Sequence, residues 1–370
     1  MINFRMLRFS DYTLWITAGL LILFGFLLIY SATAAIQGRA HQDPLHFVKR
    51  QMLACLLALV FMGILMYLDY AHLKRLALPL YLLMIILLGL VLFLGFEAQG
   101  AQRWLTLGFL SFQPSELAKL ITVIALARYL EERRKEIKSL LDLWPILILV
   151  GIPFFLIFKQ PDLGTSLVLI ALGLGMLLWA ETRPRLLLTL FIGVGIAAPF
   201  IWNMLKDYQK LRILSFLNPG LDPLGAGYHS LQAKIAVGSG GFLGKGFLSG
   251  TQTQLQFIPQ QQTDFIFSVV AEEFGLIGSV ISLALFCMLI YRALKIALEA
   301  REFYGSLLAA GIAVMYAFHL FVNVGMTLGL LPVVGIPLPF LSFGGTSLVI
   351  NLMAIGILQS IAMRSHKILF

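Results

Sequence analysis

Ten predominantly apolar stretches succeed one another along the chain, at about 12–35, 48–68, 76–96, 114–131, 140–158, 163–180, 184–204, 264–291, 303–328 and 344–363. Each approaches the roughly 20 residues that a helix needs to cross a bilayer. Backbone groups in hydrocarbon must pair within their own segment, so these runs predict helices. The two-residue alternation of a barrel strand is missing from them, most plainly in Leu82–Leu94. Charge interrupts two of the runs: 140–158 begins beside Asp142, and 114–131 contains Glu116 and Lys119. The pattern predicts an all-α polytopic membrane protein of about ten transmembrane helices, forming a single domain over residues 1–370.

One interval breaks the rhythm. Residues 205–263, between the seventh and eighth runs, predict a long extracellular loop. It holds Asn218-Pro219, Asp222-Pro223 and the glycine-dense GSGGFLGKGFLSG of 238–250, which favour tight turns. It also carries Tyr228, Phe242, Phe247, Leu255, Phe257 and Ile258. Flexible linkers rarely hold so many large apolar groups, so the loop is expected to pack on the membrane surface.

Composition agrees: 59% of residues are hydrophobic and 12% charged, against roughly 25% charged in a soluble domain. Sixteen lysines and arginines fall in loops on one side and five in the short loops opposite. By that asymmetry both termini are cytoplasmic, the long loop is outside, and the protein sits in the cytoplasmic (inner) membrane. The net charge of +9 is then a set of anchors to anionic membrane lipids. No basic stripe is interleaved with aromatics, so nucleic acid is not a partner. The first run resembles a signal peptide ending in Ala32-Thr33-Ala34 but is too long for one, and reads as a retained helix. Cys55 and Cys287 fall in predicted helices as packing residues. The histidines lack ligand spacing, so no zinc site is proposed. His319, inside a run, predicts an interhelical hydrogen bond.

A charge near the bilayer centre costs at least about 2.5–3.5 kcal/mol, which makes an intramembrane ionisable residue a candidate for function. Four places qualify. In residues 100–120, Pro114 suits a first helical turn, and Glu116 and Lys119, three apart, can pair on one face. They are either a self-compensating ion pair or part of a polar cavity with Arg103 and Trp104. Arg103 has the planar fork that holds phosphate oxygens, while Trp104 suits the membrane interface as well as a binding role. In residues 159–166, Asp162 opens a helix and is either its N-cap or a cavity group. In residues 260–275, Thr263 or Asp264 can cap the next helix. Glu272 and Glu273 lie deeper, so at least one should be paired or protonated. In residues 323–347, Pro332, Pro337 and Pro339 forbid a continuous helix. Irregular backbone at membrane depth needs covering protein or water, so this segment is expected to line an outward-facing cavity.

Five blocks carry a resemblance across nearly the whole chain: GAQRWL…QPSELAK, QPDLGTS, GYHSLQAKIAVGSGGFLGKGF, TDFIFSVVAEEFGLIG and LLPVVGIPLPFLSFGGTS. In order and spacing they resemble the SEDS peptidoglycan glycosyltransferases. NPGLDPLGAGYHSLQAKIAVGSGG with GTQTQLQFIP is more similar to their RodA-like elongation branch than to the division branch. The sequence departs at Pro259-Gln260-Gln261-Gln262, where the family often has Pro-Glu-x-His.

The resemblance implies polymerisation of lipid II, the undecaprenyl-pyrophosphate-linked disaccharide-pentapeptide, during cell-wall elongation and rod-shape maintenance. It implies a class B penicillin-binding protein, a transpeptidase, as partner. Asp264 is then the catalytic base or the carboxylate that holds a divalent cation (Mg or Mn), Glu116, Lys119 and Asp162 supply positioning and electrostatics, and Arg103, Trp104 and Arg212 bind the pyrophosphate-linked substrate. Two rivals are a lipid II flippase, which would also want a polar intramembrane cavity, and a noncatalytic scaffold of the wall-synthesis complex. A flippase path needs polar groups on the cytoplasmic half too, whereas these cluster toward the outside. A scaffold needs no buried carboxylates.

Overall fold

The computed structural model describes residues 8–39, 43–98, 101–107, 110–133, 139–181, 184–205, 207–218 and 225–365. A helix occupies each of the ten apolar runs: α1 (Tyr12–Arg39), α2 (His46–Tyr67), α3 (Tyr70–Leu94), α4 (Pro114–Glu132), α5 (Trp144–Lys159), α6 (Leu163–Trp179), α7 (Pro184–Met204), α11 (Ile266–Glu299), α12 (Phe303–Thr327) and α13 (Gly345–Ser365). Among the described residues, seven segments are long and apolar enough to cross a membrane: α1, α2, α3, α5 with the turn before it, α11, α12 and α13. The protein is a multi-pass membrane protein, mostly helical.

Local sequence explains several helix boundaries. Asp69 starts α3 by accepting from the Ala71 amide. Pro114 opens α4, where its missing N–H would have no partner anyway. Ser139 and Asp142 form a reciprocal capping box on the 3₁₀ turn before α5. Leucines and isoleucines left exposed along α2 and α3 suit a lipid-facing surface. By contrast α4, α12 and α13 are buried over most of their length. These three contribute heavily to the core, which includes Tyr304 and Tyr316 and also draws on α1, α2, α3, α5, α6 and α11.

Two expectations change. The chain is not purely helical. Between α3 and α4 lie β1 (Phe96–Ala98), β2 (Ala101–Leu107) and β3 (Leu110–Phe112), an antiparallel sheet in the order β1-β2-β3. Phe96 stands opposite Trp104, and Leu105 opposite Phe112. Pairing satisfies backbone groups that a short interhelical segment would otherwise leave bare.

The interval 205–263 is also more ordered than a loop. It contains α8 (Asp207–Leu217), α9 (Ala226–Ser239) and α10 (Thr251–Leu255), packed on α1, α11 and α12. Asn218 is described, but its partner Pro219 and the Asp222-Pro223 turn fall outside the described residues.

The deepest of these contacts breaks a helix. Within α11, Gly275 has φ 65° and ψ −157°, which no helix tolerates. The turn 241–246 enters there. Lys245 and Gly246 amides donate to the carbonyls of Glu272 and Glu273, at 3.0 Å each, while Leu276 and Ile277 amides donate to Gly241 and Phe242 at 2.9 and 3.2 Å. Backbone groups freed by the break are thus met by another segment, as membrane depth requires.

Candidate active site

The chain between α12 and α13 cannot be helical, because Pro332, Pro337 and Pro339 remove amides and clash with the preceding turn. Its carbonyls must then find donors elsewhere, and they draw polar side chains from several elements. Asn323 of α12 donates through Nδ2 to the Ile336 carbonyl at 2.7 Å. His319, one turn earlier, has Nδ1 2.9 Å from the Pro337 carbonyl. Arg212 of α8 donates to the Val333 carbonyl at 3.5 Å. The turn before α11 joins the same segment: Ser342 Oγ donates to the Thr263 carbonyl at 2.6 Å, and the Phe343 amide to the Gln262 carbonyl at 2.8 Å.

Asp264 closes that turn, its amide donating to the Gln260 carbonyl at 3.2 Å. Its Oδ2 lies 3.2 Å from where a Cβ would stand on Gly335, whose φ is +73°. Glycine there permits both the backbone conformation and the close approach. The capping role open to Thr263 or Asp264 is not taken. The N-cap of α11 is Phe265, with no side-chain cap, and the Phe265 carbonyl accepts from the Ser268 amide at 3.0 Å. The helix starts beyond Asp264, which leaves this half-buried carboxylate free of the cap and close to Gly335. Asp264 precedes the spanning part of α11. Burial pushes its carboxyl from 3.8 up to about 6, while the Arg212 and Arg103 guanidinium groups pull it down and Asp162 adds to the rise.

Glu116 and Lys119 do pair. Lys119 Nζ lies 2.9 Å from each Glu116 oxygen, and both side chains are almost wholly buried. The third neighbour of that ammonium is His319 Nε2, at 3.1 Å. His319 therefore makes the expected interhelical hydrogen bond, in α4's direction, and also touches the proline segment. Asp162 takes the N-cap role. It caps α6 through the Thr165 amide at 3.2 Å, and Gln113 and Ser115 reach its Oδ2 at 3.3 and 3.5 Å.

Arg103, on β2, is anchored by the Gln160 carbonyl at 3.1 Å and by the Pro161 carbonyl, with Asp162 at 4.0 Å. The same strand leaves Trp104 half-buried against β1. Arg212 lines a narrow cleft with Ser215, Ser230, Leu331, Pro332 and Val333. An outward-facing cavity is expected along this segment; among the described residues the segment borders this narrow cleft.

Glu272 and Glu273 are placed apart from Asp264, at the break in α11. Glu272 accepts from Lys245 at 2.8 Å and from the Gln252 and Thr253 amides. Glu273 meets Ser31 of α1. These acids hold the 240–256 segment to the bundle. Gln261, at the departure from the family pattern, does similar work by donating to the Ala32 and Thr253 carbonyls at 2.8 and 2.9 Å.

Sequence reasoning missed Asn323 and Gly335 and gave His319 no place at the site. The available signal was the four-residue spacing of His319 and Asn323 in an apolar helix. Among the described residues no group of three or more His, Cys, Asp or Glu gathers to hold a metal. A divalent cation would rest on Asp264 and substrate phosphate oxygens, as magnesium commonly rests on one or two carboxylates and phosphates.

A bundle of membrane helices around an irregular segment that meets a carboxylate, an arginine and, through His319, a buried ion pair defines a polytopic membrane protein with a polar cluster beside its core. The chain belongs to the FTSW_RODA_SPOVE cell cycle protein family, whose model matches residues 11–367. It is 43% identical over 336 residues to the peptidoglycan glycosyltransferase MrdB of Escherichia coli (strain K12), covering 90% of each chain. To the probable peptidoglycan glycosyltransferase FtsW of Geobacter sp. (strain M18) it is 37% identical, covering 96% of this chain and 97% of that one. Among solved structures it is similar to a chain from a study of how a peptidoglycan synthase complex coordinates polymerization and crosslinking. That match has a TM-score of 0.82 and 33% identity, over 97% of this chain and 99% of that one. The rod shape determining protein RodA of Thermus thermophilus matches with a TM-score of 0.72 and 30% identity, over 97% and 98% of the two chains.

Proposed function

We propose that the site around Asp264 joins two lipid II molecules, with Asp264 as general base. The protein is a peptidoglycan glycosyltransferase of cell-wall synthesis, of the kind its relatives' names describe. In the reaction, a sugar 4-hydroxyl of one lipid II attacks the anomeric carbon of the other glycan. The bond from that carbon to the pyrophosphate oxygen breaks, and the pyrophosphate leaves with the electron pair. The hydroxyl proton passes to Asp264. A carboxyl raised to about 6 is ionised at neutral pH yet more basic than a surface aspartate, which suits that transfer. Arg103 and Arg212 answer the negative charge that develops on the pyrophosphate. A divalent cation bound at Asp264 would add to that neutralisation. Glu116, Lys119 and Asp162 keep the walls of the cleft polar and fixed, and Trp104 lies beside the incoming lipid.

In this reading about ten helices cross the inner membrane, both termini are cytoplasmic and the 205–263 region is outside, where lipid-linked precursors are polymerised. The partner is a class B penicillin-binding protein that crosslinks the product. One observation carries the assignment: a carboxylate freed from capping and seated against Gly335, within electrostatic reach of Arg212 and Arg103. Purified protein in lipid II liposomes, with and without the transpeptidase, tests it by glycan product. Lipid II movement across the bilayer without polymer would overturn it.

A further inference from the structure

Two polar residues of α12 face the site from behind without touching the place where substrate would lie. His319, Asn323 and Thr327 recur every four residues and are buried, so they share one helix face. Buried polar groups at membrane depth are costly unless paired, and the first two are paired in a specific way.

Hydrogen positions on His319 follow from its partners. Lys119 is an ammonium with donors only, so His319 Nε2, 3.1 Å away, must accept. The proton then sits on Nδ1, which donates to the Pro337 carbonyl at 2.9 Å. Lys119 in turn spends its remaining donors on the two Glu116 oxygens. A continuous chain runs from Glu116 through Lys119 and His319 to Pro337.

Asn323 is fixed as firmly. Its Nδ2 donates to the Ile336 carbonyl at 2.7 Å and to the Asp264 carbonyl at 2.9 Å. A flipped amide would press an oxygen against two carbonyl oxygens, so only one orientation is stable. In that orientation Oδ1 is buried and finds no partner among the described residues, an uncompensated acceptor in a residue with no exposed surface. The buried acceptor disfavours this arrangement, so the two donated bonds are what hold it.

We infer that His319 and Asn323 are positioning residues for glycan transfer. Asn323 pins the Asp264 main chain to the segment that carries Gly335. His319 ties the next residue of that segment to the Glu116–Lys119 pair. Together they set the carboxylate over Gly335 and couple it to a buried ion pair on a different helix. This inference rests on the assignment of Asp264 as the base.

The test is lipid II polymerisation by the purified protein with its transpeptidase, measured as kcat and KM, alongside a melting curve for each variant. His319→Leu and Asn323→Leu remove the hydrogen bonds, the first at similar volume and the second with the same branched shape but more bulk. Displacing a base by a fraction of an ångström to 1 Å should lower kcat by about 10- to 100-fold, with KM for lipid II nearly unchanged. His319→Gln retains one donor and one acceptor, and should restore most of the lost kcat. Asn323→Ser adds no bulk, leaves a single donor and serves where the leucine variant does not fold. It should still lower kcat.

Wild-type kcat in His319→Leu, in Asn323→Leu or in Asn323→Ser overturns the inference. So does a His319→Gln variant as slow as His319→Leu, because donor and acceptor would then be irrelevant. Asp264→Asn is assayed in parallel. Full activity in that variant sinks the assignment of the base, whereas its inactivity combined with normal rates in the α12 variants sinks this inference alone.

Discussion

At the scale of single residues, Asp264 and the Glu116–Lys119 pair carry opposite kinds of expectation. Asp264→Asn keeps size and removes both base and charge. No cap is lost, because Phe265 begins the helix and no side chain caps it. Glycan synthesis should fall by about 100-fold or more, in the range that general bases contribute, with protein yield and partner binding near normal. The wild-type rate should also depend on pH through Asp264. The working form is the carboxylate, so the rate should decline as pH falls through about 6, and a rate unchanged down to pH 5 would contradict the role. Glu116 and Lys119 are almost wholly buried and bonded to one another. Removing either strands a buried charge, at a cost of about 3–5 kcal/mol in stability. Exchanging the two should recover folding better than either single change. Strictly additive losses in a double-mutant cycle would mean that the contact carries no energy of its own.

At the scale of elements, the break in α11 is the feature on which the outer segment depends. Four backbone hydrogen bonds join the turn 241–246 to the helix on either side of Gly275, and Lys245 adds an ion pair to buried Glu272. Gly244 has φ +80°, and a Cβ there would stand 2.1 Å from the Glu273 carbonyl oxygen. Neither backbone can yield cheaply. Gly244→Ala should therefore lower the melting temperature, with at least about 1–3 kcal/mol from the backbone conformation alone. Proteolysis of the purified protein should then cut first within 240–256, where the turn has been levered off the helix. An alanine variant that melts and digests like wild type would show that the turn is held by side chains instead. The sheet β1-β2-β3 does comparable work at the other wall, since Arg103 reaches the Gln160 carbonyl from β2.

At the scale of the whole molecule, two groups of ionisable residues stand out by their partners, beside the Glu116–Lys119 and Lys245–Glu272 pairs. One group links helix ends: Asp11 with Arg292, Lys74 with Glu131, and Asp69 with Arg364. The other comprises Arg103, Asp162, Arg212 and Asp264, which influence one another at the site. In the proposed topology, which rests on positive-inside asymmetry, the first group lies on the cytoplasmic side. Ser139 and Ser249 are exposed and belong to opposite sides in that topology. Cysteines placed there, in a background with Cys55 and Cys287 replaced, should react with an impermeant reagent from opposite faces. Labelling of both from outside in intact spheroplasts would reverse the assignment.

How much of this was legible beforehand follows from the range of the interactions involved. Hydrophobic runs of bilayer length dictate helices locally, because no other backbone arrangement satisfies itself in hydrocarbon, and all ten runs are helices. The prolines of 332–339 likewise exclude helix by their own chemistry. Glu116 and Lys119 were bound to meet, since three residues on a helix bring side chains together. The strands β1 to β3 and the helices inside 205–263 were hidden, because their pattern is short and their stability comes from neighbours far away in sequence. Gly275 is an ordinary glycine until the turn 241–246 arrives to satisfy the broken helix. The same holds at the site. The sequence determined which residues were costly to bury, but tertiary packing alone decided that Asp264 would leave the helix cap to Phe265, lie over Gly335 and be held there by Asn323. These contacts join residues more than fifty positions apart, and no local periodicity encodes which partner a polar side chain will find across a bundle.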